Sequence, residues 1–204
     1  MATQETDVAL VGAGPIGIEL GVALTRAGIE HIHLEAGQIG ATIAWWAPGT
    51  RYFSSPERIA ISGVPIPSPT QDKATREDYL AYLRAVVQQF DLSIRTNTRV
   101  ERVRRLDERF ELQLAHSGAG VGGPAEMLRA EGEPREATEI LRAKRLVLAI
   151  GDMHRPQMLN IPGEDLPHVS HYLAEPHTYF GKRVLIVGGK RPRSASTAPA
   201  PTSP

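Results

Sequence analysis

The chain has 204 residues, 41% of them apolar and 23% charged, with 23 basic and 23 acidic side chains and no cysteine. That length fits one domain with a substantial core, or slightly more, and zero net charge steers nothing toward nucleic acid or an anionic membrane. Without cysteine there is no disulfide, thiolate metal site or CxxC redox pair, so any redox chemistry falls to a cofactor.

No stretch is apolar enough to span a bilayer, and the opening residues to Asp7 carry acids where a signal peptide starts basic. A cytoplasmic protein is the default expectation.

Asp7 to Val11 is a short apolar run entering Gly-Ala-Gly-Pro-Ile-Gly. From Ile16 to Ala27 the apolar residues recur at helical spacing, and Gly28 is placed to end that helix. Glu30 to Glu35 alternates, with Ile32 and Leu34 on one face, and reads as a second strand. Strand, glycine turn, helix and strand form a βαβ unit. Ala36 to Thr70 has no sustained period and carries the aromatic stretch Trp45 to Phe53. Such a loop either serves a ligand or lays its aromatic groups over the core.

Helix resumes beyond Thr75, which can cap it with Asp78 in a capping-box arrangement. Tyr79, Leu83, Val86, Val87 and Phe90 form its apolar stripe. Then come a short strand around Ile94 and a hairpin or meander in which Phe110, Leu112 and Leu114 alternate. A glycine-rich excursion over about 115–139 protrudes between strands. Leu146 to Ile150 reads as a buried strand running into Gly151, and Lys182 to Val187 as the last strand. The stretch 190–204, rich in Pro, Ser, Thr and Ala, has almost nothing apolar to bury and reads as a disordered tail.

Gly12, Gly14 and Gly17 form GxGxxG between a strand and a helix. Gly12 permits the tight turn, Gly14 lets backbone approach a pyrophosphate, and Gly17 permits close helix–strand packing. The helix N-terminus then turns unpaired N–H groups toward the phosphates. Glu35 lies where an acid would accept hydrogen bonds from an adenosine ribose and repel a 2′-phosphate, favouring FAD or NAD over NADP there. A dinucleotide is therefore the expected partner.

Other candidates are weaker. His31 and His33 share one strand face without clustered acids, and His168, His171 and His177 match no zinc spacing, so no metal site is expected. Arg99, Arg102, Arg104 and Arg105 alternate with Glu101, Val100 and Val103, which suits a solvated strand face better than a nucleic-acid groove. No catalytic side chain identifies itself.

Several stretches, in order, resemble flavoproteins with two dinucleotide-binding domains. They are GAGPIGIELG, RYFSSPERIAISGVPIP, TREDYLAYLRAVVQQFDLSIRTNTRV, LVLAIGDMHRPQMLNIPGEDLPHVSHY and HTYFGKRVLIVGGK. The chain is most similar to bacillithiol-disulfide-reductase-like proteins and more distantly to flavin-containing monooxygenases. The resemblance implies an α/β fold, a Rossmann-like FAD-binding domain of glutathione-reductase type with a β-meander, spanning 1–181. It implies FAD as cofactor, NAD(P)H as co-substrate, and hydride transfer from nicotinamide to flavin.

Residue by residue, Gly12, Gly14, Pro15 and Gly17 match the FAD-pyrophosphate turn and Glu35 the ribose acid. Ala36 would lie beside the adenosine, and Val100 matches the strand position whose backbone meets the adenine. Ala149 and Gly151 belong to the second FAD motif, where Ile150 replaces the usual threonine. Asp152-Met153-His154 stands where relatives carry tyrosines. Residues 182–189 would open the NAD(P)H domain, but Arg191-Pro192-Arg193 replaces its Asn-Ser-Ala helix start, and proline breaks a helix interior. The expectation is a chain truncated at that point and inactive by itself. A non-catalytic FAD- or ADP-binding fragment, a homo-oligomer or a complementing chain are the readings left beside it.

Overall fold

A computed structural model describes residues 2–68, 70, 72–116, 138–153 and 158–187. The expected glycine-rich excursion lies almost wholly outside these, as does the expected tail.

The chain runs through β1 (Ala2–Val11), α1 (Pro15–Arg26), β2 (His31–Leu34), α2 (Ala41–Ala44), α3 (Pro56–Ile59) and α4 (Arg76–Gln89). Then come β3 (Ile94–Arg95), β4 (Thr98–Leu106), β5 (Arg109–His116), β6 (Glu139–Leu148) and a 3₁₀ turn at Pro176–Tyr179. The six strands form one sheet in the order β3-β2-β1-β6-β5-β4. β3, β2, β1 and β6 are parallel, while β4, β5 and β6 are antiparallel neighbours. This is the expected Rossmann-like unit with a meander on its far side. After β1 the chain moves outward to β2 and β3, and β6 returns to the other flank of β1. Such a reversal leaves a crevice at the carboxyl ends of β1 and β6.

Local chemistry sets the helix ends. Pro15, whose ring pre-sets φ and whose missing N–H costs nothing there, opens α1. At its other end the Gly28 N–H donates to Thr25 O at 3.1 Å and the Ile29 N–H to Leu24 O at 3.0 Å. With Gly28 at φ +65°, these two bonds are a Schellman stop. The capping box of α4 forms as expected: Asp78 N–H donates to Thr75 Oγ1 at 3.1 Å, and Thr75 N–H to Asp78 Oδ2 at 3.0 Å.

The core has two parts. One packs α1 and α4 against the excursion from Ile39 to Ile66, with Ile18, Val22, Leu83 and Val86 at its centre. The other lies among the strands, around Ala9, Leu34, Leu112, Leu114, Leu141 and Ala143. Of the two readings for the aromatic loop, packing accounts for Trp46 and Tyr52. Trp46, Tyr52, Tyr79 and Tyr82 form a continuous ring stack with centroids 5.1, 4.6 and 5.5 Å apart. α4 pins the loop, since Arg76 N–H donates to Thr50 O at 2.7 Å and the Arg76 guanidinium to Trp46 O at 2.5 Å. Trp45 meets Tyr172 edge-on, and Phe53 stays exposed.

Three strand expectations need correction. β1 begins at Ala2 instead of Asp7, because Ala2 to Thr6 pairs in parallel with Glu139 to Ala143. The strand Leu146 to Ile150 is not buried as a whole. Leu148 and Ile150 are 57% and 51% exposed, and the buried residues of β6 are Leu141 and Ala143. Lys182 to Val187 forms no strand: no described strand pairs with it, and Leu185 is 86% exposed. An apolar run supplies side chains for a sheet but not the partner that would satisfy its backbone.

Candidate dinucleotide site

The glycine turn sits at the carboxyl end of β1. Gly12 donates to Leu34 O at 2.7 Å and has φ +106°, a region closed to most side chains. A Cβ there would also stand 2.8 Å from the Ala149 carbonyl carbon and closer still to its oxygen. Ala149 crosses so near because its N–H donates to Val11 O at 2.7 Å, which continues the β1–β6 pairing past the strand end. A Cβ on Gly17 would run into the backbone of Gly12, 2.9 Å from its carbonyl carbon. Gly14 differs from both: nothing lies within 4 Å of where its Cβ would be. Two glycines are thus absent-side-chain packing sites, and the middle one faces open space.

Glu35 follows β2 and is only 9% exposed. Its Oε2 accepts the Ala13 N–H at 2.7 Å and its Oε1 the Gly37 N–H at 2.8 Å. The carboxylate therefore ties the glycine turn to the chain leaving β2. Each oxygen keeps a further lone pair that a ribose hydroxyl can use. Glu35→Gln should weaken dinucleotide binding about tenfold, because its amide –NH₂ must face a backbone donor on one side. Calorimetric titration with FAD checks this, and an affinity equal to wild type would remove Glu35 from the site.

These contacts bring Gly12, Gly17, Glu35 and Ala149 together at the carboxyl end of β1, with Gly14 and Pro15, Ala36 and Gly151 next to them along the chain. α1 starts beside them at Pro15 with no side-chain cap, and the leading N–H groups of a helix have no partner within it. Gly151 has φ +67° and follows directly on the Ala149 crossing. Val100 follows two residues after Thr98, whose N–H donates to Glu35 O at 2.8 Å, and its side chain packs against the core among the strands. What would fit the open space is a group with negative charge beside the α1 N-terminus and hydroxyls beside Glu35. The ADP half of a dinucleotide has both.

Residues 9–118 and 135–196 match the model of one family, described as pyridine nucleotide-disulphide oxidoreductase. The chain belongs to that family. Bacilliredoxin reductase Bdr of Bacillus subtilis is 26% identical over 182 residues, covering 89% of this chain and 49% of that protein. The solved bacillithiol disulfide reductase Bdr of Bacillus cereus superposes with a TM-score of 0.73 at 30% identity, over 86% of this chain and 49% of that one. The flavin-containing monooxygenase of Stenotrophomonas maltophilia shares the fold, with a TM-score of 0.56 at 24% identity over 72% of this chain and 38% of that one. The chain spans about half the length of the Bdr relatives it matches.

The Arg-rich stretch is β4, where Arg102, Arg104 and Arg105 are exposed and Arg99 lies 3.7 Å from Glu101. His171 pairs with Glu164 at 3.1 Å. The Leu159 N–H, His171 and the Asn160 N–H hold the Glu164 carboxyl below its usual range. Among the described residues no cluster of acids and histidines could hold a metal ion, and no helix is long and apolar enough to cross a membrane. The solvated or hydrogen-bonded role expected of His33 proves to be a hydrogen bond, but its partner and the part of Gly21 were not anticipated. The His33 ring is buried behind the glycine turn with Nε2 2.9 Å from Gly12 O, and Gly21 leaves it room. A polar residue at an inward strand position, opposite a second glycine four residues beyond Gly17, was the available signal.

Proposed function

We propose that this chain binds FAD at the Gly12–Gly17 turn and serves NAD(P)H-linked oxidoreductase chemistry. The observation that carries the reading is the open space at Gly14, placed between the α1 N-terminus and the Glu35 carboxylate. Gly14 and the first turn of α1 face the pyrophosphate, Pro15 fixing the helix entry. Glu35 accepts from the ribose hydroxyls, with Ala36 beside the adenosine and the Val100 backbone near the adenine. Ala149 and Gly151 close the crevice from the β6 side. The bound flavin supplies a hydride acceptor for nicotinamide and a reductant for a disulfide or oxygen. These 204 residues contain no cysteine and supply no dithiol relay of their own. The names of the Bdr relatives and of the flavin-containing monooxygenase support a flavin and a disulfide or oxygen as its target.

A second reading is a dinucleotide-binding module that does not turn over by itself. What favours it is Lys182 to Val187, the stretch expected to enter a nicotinamide domain, which lies exposed and outside the sheet. Hydride transfer needs both rings held in register, and residues seating only one of them do not provide that. Anaerobic mixing of the FAD-loaded chain with NADH or NADPH separates the two. Rapid bleaching of the flavin absorbance supports the oxidoreductase acting alone. Bound flavin that stays oxidised supports the module.

A further inference from the structure

His33 lies in the middle of β2 and is 1% exposed. Its ring fills a slot made by missing side chains. A Cβ on Gly21 would stand 3.2 Å from Nδ1, and one on Gly17 would stand 3.4 Å from Nε2. Nε2 lies 2.9 Å from the Gly12 carbonyl oxygen. A carbonyl can only accept, so Nε2 carries the hydrogen and donates it. That carbonyl belongs to the first glycine of the turn and is the group against which Gly17 packs. The other ring nitrogen, Nδ1, is buried with no hydrogen-bond partner.

We propose that His33 is a positioning residue for the dinucleotide site, its neutral Nε2–H ring clamping the Gly12 carbonyl and holding the glycine turn in its binding shape. This rests on the dinucleotide reading above. A second proton on Nδ1 would bury a charge and an N–H with nothing to accept it, so the protonated ring must leave its slot and release the turn. Among the described residues the surroundings offer no rescue. α1 presents Gly17 and Gly21, the turn after α4 presents Leu92, and the neighbouring strands place Leu10 and Ile94 in register with His33. On its own strand, Glu35 is held by backbone N–H groups, and His31 is the titratable group whose charge reaches the ring, opposing protonation.

Burial accordingly holds His33 below the ordinary imidazole value of 6.5, against the pull of the Gly12 carbonyl. A group whose folded value is depressed in this way stabilises the fold fully above pH 6.5. That stability is lost as pH falls from there through the lowered folded value, because the opened chain takes up the proton first. Dinucleotide binding, which needs the closed turn, holds while the folded ring stays neutral and weakens as pH falls below the lowered folded value.

The test is the Kd for FAD of the 204-residue chain against pH, with thermal unfolding of the ligand-free chain measured in parallel. For wild type, Kd should rise by up to about tenfold per pH unit below the lowered folded value, the limit for one coupled proton. His33→Gln keeps an N–H donor near the Nε2 position and cannot titrate; its affinity should stay within about threefold of wild type near pH 8 and lack that rise. His33→Leu should bind about tenfold more weakly at every pH. Identical pH profiles for wild type and His33→Gln would overturn the proposal, even if His33→Leu fails to fold. If folded wild type binds no FAD near pH 8, the dinucleotide reading falls instead. Thermal unfolding then decides the clamp: wild type must lose stability with acid relative to His33→Gln, and parallel curves would overturn it.

Discussion

Gly17→Ala is expected to lower the folding stability by about 3 kcal/mol or more, near the upper end for overpacking. The added methyl group has no rotamer with which to escape. It meets backbone, the Gly12 carbonyl, and that backbone is fixed from three sides. Gly12 N–H is bonded to Leu34 O, its carbonyl faces the buried His33 Nε2, and Ala149 crosses over it. Relief requires α1 to lift from β1, which uncovers Ile18 and Val22 in the main core. Urea unfolding monitored by circular dichroism measures the loss. A variant within about 0.5 kcal/mol of wild type would show that helix and turn are looser than described.

Gly14→Val should do the reverse, sparing the fold and removing the ligand. Gly14 is the N-cap of α1 with φ −77°, an ordinary backbone conformation, and open space surrounds its missing Cβ. Valine is a poor N-cap, so a cost of about 1 kcal/mol in stability is expected. FAD affinity should fall by about a hundredfold or more, equivalent to roughly 2.7 kcal/mol, because the side chain occupies the pyrophosphate's approach. Together the two variants separate packing from access within one six-residue motif. The expected pattern is stability lost at Gly17 and binding lost at Gly14.

Features set by short-range chemistry were legible in the chain. The Schellman stop at Gly28 and the Thr75–Asp78 box depend on residues a few positions apart, and the βαβ unit lies within the first 35 residues. Features set by distant partners were not. Thr3 to Thr6 is polar and reads as no strand, yet it pairs with Ile140 to Ala143, far along the chain. Leu146 to Ile150 and Lys182 to Val187 have the composition of buried strands, but burial depends on what covers them, which composition does not record. His33 reads from the sequence as solvated or hydrogen-bonded, with no partner named, because that partner, the Gly12 carbonyl, lies on another strand's exit. The candidate site was therefore readable as a motif, while the groups that hold the motif in shape became visible only when the strands were brought together.

The most direct measurement is a calorimetric titration of the folded chain with FAD, paired with flavin absorbance after desalting and repeated on Gly14→Val. Saturable binding by wild type, lost in a Gly14→Val chain that unfolds with nearly wild-type stability, is the predicted result. A folded wild-type chain that shows no saturable binding, or a variant that binds equally well, would contradict the assignment of the glycine turn as the cofactor site.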